Sequence, residues 1–164
     1  MPKVLLINPP QTYFRGSQPF GVYFPLGLLY VAASVRDLSD VEIFDCLVRD
    51  FAVQELGDSM VYGAPLERVR TEMERAHPDI VGINVPFTAQ FENAAAIASL
   101  CRETVPKAVV VLGGPDPSIR YERILEDGHA DYCVVGEGED TFREFVSALA
   151  DGRDPAGIPG VACI

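Results

Sequence analysis

The stretch that decides the fold is KAVVVLGGPDPS, Lys107–Ser118. Its apolar run, Ala108–Leu112, is β-branched and does not alternate polar with apolar positions. A strand of that kind is buried on both faces, the mark of a parallel sheet lying under helices. The run ends on Gly113-Gly114, and a helical pattern follows over about Ser118–Glu126 until Gly128 stops it. Strand, glycine turn and helix in that order make up half of a crossover unit.

Four further short runs recur, most of them likewise without alternation: Lys3–Ile7, Val41–Asp45, Asp79–Val85 and Asp131–Val135. Helical patterns separate them. The first, about Leu26–Leu38, is apolar nearly all round. Leu66, Val69, Met73 and Ala76 form a stripe that ends at His77-Pro78. Phe91, Ala94, Ala95, Ala98 and Cys101 form another, with Thr88 as its expected N-cap and Pro106 near its end. Phe142, Phe145, Val146 and Leu149 form the last, closed by Gly152. Strand–helix alternation predicts a doubly wound, flavodoxin-like or Rossmann-like α/β fold. The expected sheet has five parallel strands in the order 2-1-3-4-5, with right-handed crossovers and helices on both faces.

Composition removes several classes of function. A net charge of −11 on 164 residues leaves no basic face for nucleic acid or an anionic membrane. The apolar run before Asn8-Pro9-Pro10 is too short for a signal peptide, and no later stretch has the length of a membrane span, so the expected address is cytoplasmic. Cys46, Cys101, Cys133 and Cys163 do not stand at metal-ligand spacing and read as buried thiols in a reducing compartment. No protein ligand to a metal is therefore expected.

In open α/β sheets a ligand binds outside the carboxyl ends of the strands. Five exits are then the candidate site: Asn8-Pro9-Pro10, Asp45, Pro86-Phe87-Thr88, Gly113-Gly114-Pro115-Asp116 and Gly136-Glu137-Gly138-Glu139. A nucleotide fits them poorly. There is no P-loop and no G-x-G-x-x-G after the first strand, and the Gly136–Asp140 turn is acidic where a phosphate would need positive charge. A phosphoryl-acceptor domain would gather acids where this chain has Asn8-Pro9-Pro10 and Val85-Pro86.

The glycine pair suits either a tight turn or a slot left where a side chain would stand. Facing the alanine-rich helix at Ala94–Ala98, such a slot would admit a flat aromatic group. The long segment Asn8–Gly27 has four prolines, five aromatics and only Arg15 for charge. A connection of that length and oiliness is expected to pack against something.

Five motifs carry a resemblance to a known family. KVLLINPP, FPLGLLYVAA, PDIVGINV, VVVLGGPDPS and YCVVGEGEDTF occur in this order. Together they resemble the cobalamin-binding domain of cobalamin-dependent radical S-adenosylmethionine enzymes. The resemblance implies that a corrin ring lies across the strand ends, with its dimethylbenzimidazole tail in a slot at Gly113 and Gly114. Val85, Pro86, Thr88, Pro115, Asp116, Ser118 and the Gly136, Glu137, Gly138, Glu139 loop would flank it. Pro10, Thr12, Tyr13, Phe14, Tyr23, Phe24 and Pro25 would form floor and wall, with Asp45 at the neighbouring exit.

Carrier-type cobalamin domains place D-x-H-x-x-G after the first strand, with the histidine on cobalt. This chain departs from that pattern: its histidines are His77 and His129, both read as surface residues. The implied state is tail-in and His-off, with water, Tyr13 or Arg15 toward the lower face. A weakly held lower position would favour loss of a methyl cation from methylcobalamin.

The family's radical chemistry also needs C-x-x-x-C-x-x-C for a [4Fe–4S] cluster, and no such run is present. S-adenosylmethionine and the cluster are expected in a following domain, the partner of this one. Residues 1–155 would be the cobalamin domain. Residues 156–164, with a last short strand over Ile158–Ile164, would begin the connection within a longer gene product. The whole is expected to be a methyltransferase. A stand-alone corrinoid carrier or sensor and a flavodoxin-like nucleotide binder remain the alternatives.

Overall fold

The computed structural model describes residues 1–17 and 23–164. The part of the oily opening segment that falls at residues 18–22 therefore lies outside the described residues.

Six strands form the main sheet: β1 (Lys3–Asn8), β3 (Asp40–Asp45), β6 (Ile80–Asn84), β7 (Val109–Gly113), β8 (Tyr132–Val134) and β9 (Val161–Ala162). Their spatial order is β3-β1-β6-β7-β8-β9. The first five are parallel and take the expected 2-1-3-4-5 order, and β9 pairs antiparallel with β8 through Val134 and Val161. Among the described residues, five α-helices connect or cover them: α1 (Leu26–Val35), α2 (Leu66–Ala76), α3 (Phe91–Thr104), α4 (Pro115–Glu126) and α5 (Gly138–Ala150).

Successive residues of each strand point to opposite faces, so the sheet divides the core in two. Leu5, Ile7, Val81, Ile83, Val110 and Leu112 pack under α2, α3 and α4 against Val69, Met73, Ala94, Ala98 and Ile124. Val4, Leu6, Ile80, Val111 and Val134 pack on the other face against Leu28, Ala32 and Val35 of α1 and Phe142, Phe145 and Val146 of α5. The division follows from the topology. Right-handed crossovers that leave the switch point in opposite directions put α1 on one face and α2, α3 and α4 on the other; α5, which leads to the antiparallel β9, returns to the α1 face.

Several boundaries differ from expectation. Helix α1 stops at Val35, and α4 begins at Pro115 with Gly114 before it. Proline at the first helical position costs no hydrogen bond, which allows the earlier start. Thr88 does not cap α3. It opens a 3₁₀ turn, Thr88–Gln90, and Gln90 flanks the helix.

A second sheet was not expected at all. Strands β2 (Gln11–Phe14), β4 (Ala52–Leu56) and β5 (Ser59–Gly63) form an antiparallel sheet in the order β2-β5-β4. The opening segment therefore begins as a strand, with Gln11 opposite Tyr62 and Phe14 opposite Ser59. A two-residue turn at Gly57-Asp58 joins β4 to β5, with Gly57 at φ +59°. Gln90 docks this sheet on the main body. Its carbonyl accepts the Thr12 N–H at 2.7 Å, and its amide donates to the Thr12 carbonyl at 3.0 Å.

Candidate functional site

At the carboxyl ends of β1, β6, β7 and β8 the sheet, α1 and α5 enclose a cavity of about 390 Å³. That volume falls within the usual range of small-molecule sites. Mid-strand residues Leu6, Gly82 and Val111 make the floor with Val134, the last residue of β8, and Leu28, Val31 and Phe142 make the helical walls. The strand exits form the mouth, with Asn84, Gly113, Gly114, Pro115, Ser118 and the turn Gly136–Glu139.

The glycines have different reasons to be there. A Cβ on Gly113 would meet only Val134 Cβ, at 3.8 Å, so the missing side chain leaves open space. Gly114 is held by its backbone: φ is +113°, and a Cβ would lie 2.9 Å from the Val85 carbonyl oxygen and 3.0 Å from Asn84 Oδ1.

A polar lattice ties the exits together around this cavity. Ser118 Oγ accepts the Gly136 N–H at 2.9 Å and donates to the Gly114 carbonyl at 2.9 Å. Asn8 donates through Nδ2 to Asp45 Oδ1 at 2.9 Å and accepts from Asn84 Nδ2 at 3.2 Å. Asp45 Oδ1 also accepts the Leu47 N–H at 2.9 Å. Arg143 of α5 donates to the Asp37 carboxylate just beyond α1 at 2.8 Å, clamping the two wall helices. The Arg143 hydrogen bond pulls the Asp37 pKa down to about 2.

Behind the mouth, Asp116 is buried and takes a bidentate bond from Arg120, with both contacts at 2.7 Å, and one from Thr88 Oγ1 at 2.6 Å. Burial alone would raise the Asp116 pKa. The Arg120 and Thr88 hydrogen bonds and the Arg120 charge outweigh it, holding the carboxyl below its usual value. Arg120 in turn lies over the Phe91 ring, 4.6 Å from its centroid.

Of the residues singled out from sequence, Gly113, Gly114, Pro115, Ser118, Gly136, Glu137, Gly138 and Glu139 come together at the cavity mouth. The others lie elsewhere. Asp45 belongs to the Asn8 lattice, and Asp116 faces Arg120. Val85 is core, its N–H donating to the Gly113 carbonyl at 2.8 Å. Pro86 and Thr88 lie on the β6 exit loop. Pro10, Thr12 and Tyr13 run into the small sheet, and Tyr13 OH donates to Gln11 Oε1 at 2.6 Å. Phe24 is 84% exposed, Tyr23 and Phe14 are also exposed, and Pro25 leads into α1.

One expectation is corrected here. The alanine face Ala94–Ala98 packs on the opposite side of the sheet, so Leu28, Val31 and Phe142 take its place across from Gly113. The floor and wall residues Leu6, Leu28, Val31, Gly82, Val111, Val134 and Phe142 were not foreseen. Gly82, a glycine inside a β-branched run, was the available signal.

Arg15 pairs with Glu55 at 2.8 Å. His77 is exposed and ends α2 ahead of β6. His129 precedes β8 and is half-buried rather than a surface residue, edge-on to Phe91 at 5.2 Å. Burial pushes the thiols of Cys46, Cys101 and Cys133 up to about 12, which leaves them unreactive at neutral pH. Among the described residues, no cluster of His, Cys, Asp or Glu could hold a metal ion, and no helix is long and apolar enough to cross a membrane.

Residues 16–146 match the B12 binding domain family. The chain belongs to that family. Two curated relatives are each 32% identical to it across 98% of its length. They are an uncharacterized methyltransferase of Pyrococcus horikoshii and the cytidylyl-2-hydroxyethylphosphonate methyltransferase of Streptomyces wedmorensis. The chain covers 32% and 31% of them, so it spans about a third of their length. Among solved structures, the radical S-adenosylmethionine methyltransferase TsrM from Kitasatospora setae, with cobalamin and a [4Fe-4S] cluster bound, superposes with a TM-score of 0.71. It is 25% identical, and the match covers 96% of this chain and 28% of TsrM.

The B12 domain found here has a cavity that suits one part of that cofactor, its flat lower base. The space beside Gly113 is unfilled, and the floor is apolar. Burying a ring of about 150–200 Å² there is worth about 4–5 kcal/mol before ordering costs.

Proposed function

We propose that this chain is the cobalamin domain of a larger radical S-adenosylmethionine enzyme, a methyltransferase. It holds cobalamin with the lower base in the Gly113 cavity and with no histidine on cobalt. The observation that carries this reading is the open space beside Gly113, facing α1 and α5 at the strand exits.

In the bound state, Gly113 and Gly114 bring β7 backbone close to the base, while Leu28, Val31 and Phe142 exclude water from it. Ser118 and Glu137 stand where the corrinoid's amide arms need hydrogen-bond partners. The β6 exit, Pro86 to Thr88, and the opening segment, Pro10 to Tyr13 with Phe24 and Pro25, flank the macrocycle. Cobalamin supplies a cobalt centre able to carry a methyl group. This chain's own residues bind and orient the cofactor.

Support for the His-off state comes from His77 and His129, each of which stands ahead of a strand rather than at its exit. S-adenosylmethionine and the [4Fe–4S] cluster belong to a radical domain after residues 156–164. Relatives about three times as long support that arrangement. Free cysteines accord with a cytoplasmic setting.

The test is to mix the protein with hydroxocobalamin or FMN, desalt, and record visible spectra. Co-elution of the corrin bands without FMN is expected. Retention of FMN alone would overturn the reading.

A further inference from the structure

We propose that the cavity selects among corrinoids by the chemistry of the lower base, accepting benzimidazoles and discriminating against purines. This rests on the cobalamin reading above and concerns the same site.

A lower base is tethered through its sugar, so the end of the ring system farthest from the sugar enters deepest. In dimethylbenzimidazole that end is a carbocycle with two methyl groups. In a purine it is a pyrimidine ring with two nitrogens and, in adenine, an exocyclic amine.

The deep end of this cavity offers such polar atoms nothing. Its floor and walls, Leu6, Val111, Leu28, Val31 and Phe142, have only hydrocarbon side chains. Backbone groups do not substitute for them. Strands β1, β6, β7 and β8 all lie inside the sheet with a neighbour on each side, so their ladders use the N–H and C=O groups.

The polar side chains of the site, Asn84, Ser118, Glu137 and Glu139, are at the mouth, beside the sugar end. Ser118 Oγ accepts from Gly136 and donates to Gly114. Among the described residues, no buried side-chain nitrogen or oxygen lacks a partner. A purine would therefore trade water for unpaired burial of its amine and ring nitrogens, and a benzimidazole would not. The methyl groups add apolar contact where the purine carries polar atoms.

The experiment titrates the protein, at its full natural length, with three corrinoids sharing one macrocycle: cobalamin, its adenine-based analogue, and cobinamide, which has no base. The expected order is cobalamin tighter than the adenine analogue by tenfold or more, about 1.4 kcal/mol per tenfold. The adenine analogue should be no tighter than cobinamide. Equal affinity for cobalamin and the adenine analogue, both above cobinamide, overturns the selectivity and leaves cobalamin binding standing. Failure to hold any of the three overturns the cobalamin reading and the inference with it.

Discussion

Ser118 Oγ lies 2.9 Å from the backbone nitrogen of Gly136, joining the first turn of α4 to the turn that opens α5. The same hydroxyl donates to the Gly114 carbonyl, so one side chain fixes both strand-exit loops at the cavity mouth. Ser118→Ala removes both bonds without adding volume. The expected cost is about 1 kcal/mol, a fall in Tm of about 2–4 °C for a domain of this size. Thermal unfolding checks it, and cobalamin should leave the variant faster than the wild type.

Gly114 and Gly113 are adjacent but should respond differently to substitution. Gly114→Ala forces a side chain onto φ +113° with its Cβ 2.9 Å from the Val85 carbonyl oxygen. A loss of more than about 1 kcal/mol is expected. From sequence, both glycines could be pictured as open slot positions, tolerant of a large side chain. The backbone at Gly114 rules that out. Urea denaturation of the alanine variant measures the difference.

Asp116 gives the domain an acid-sensitive contact. Its folded pKa lies below the ordinary value of about 3.9. The stabilisation is therefore complete above that ordinary value and is lost as the pH falls through the lower folded value. Asp116→Asn should cost about 1–3 kcal/mol at pH 7 by weakening the bonds to Arg120 and Thr88. It should also flatten the decline in stability below about pH 4. Urea midpoints at pH 7 and pH 3 for both proteins test the pair of effects.

His77→Ala and His129→Ala should leave the visible spectrum of bound cobalamin unchanged. His129→Ala should lose some stability, about 0.5–1.5 kcal/mol, because its ring packs edge-on against Phe91. A spectral shift in either variant would place that histidine on cobalt.

The main sheet was legible because most of its strands are short apolar runs without alternation and most of the helices between them have a clear period. Alternation and right-handed crossovers narrow the possible orders without fixing one, and 2-1-3-4-5, the flavodoxin-like order, is the first choice among them. The small sheet escaped because β2, β4 and β5 are four or five residues long and bury little surface. The hairpin signal was nevertheless present in Ala52–Gly63, where Gly57-Asp58 separates two short runs.

At the site, the glycine-rich exits were legible and the walls were not. A run such as Val109–Leu112 shows that both faces are buried, but not which face is hollow. The placement of Ala94–Ala98 beside the slot failed for that reason. It would have needed the topology, which puts α3 on the face away from α1 and α5.

Gly113→Leu decides whether cobalamin's lower base occupies the space beside Gly113. The Gly113 Cβ position is clear to 3.8 Å, so the variant should fold while its side chain fills the cavity. Cobalamin retained after desalting is the measurement, with thermal unfolding as the control for folding. The wild type should retain cobalamin in equimolar amount and the folded variant little or none. Wild-type retention by folded Gly113→Leu would contradict that placement of the base.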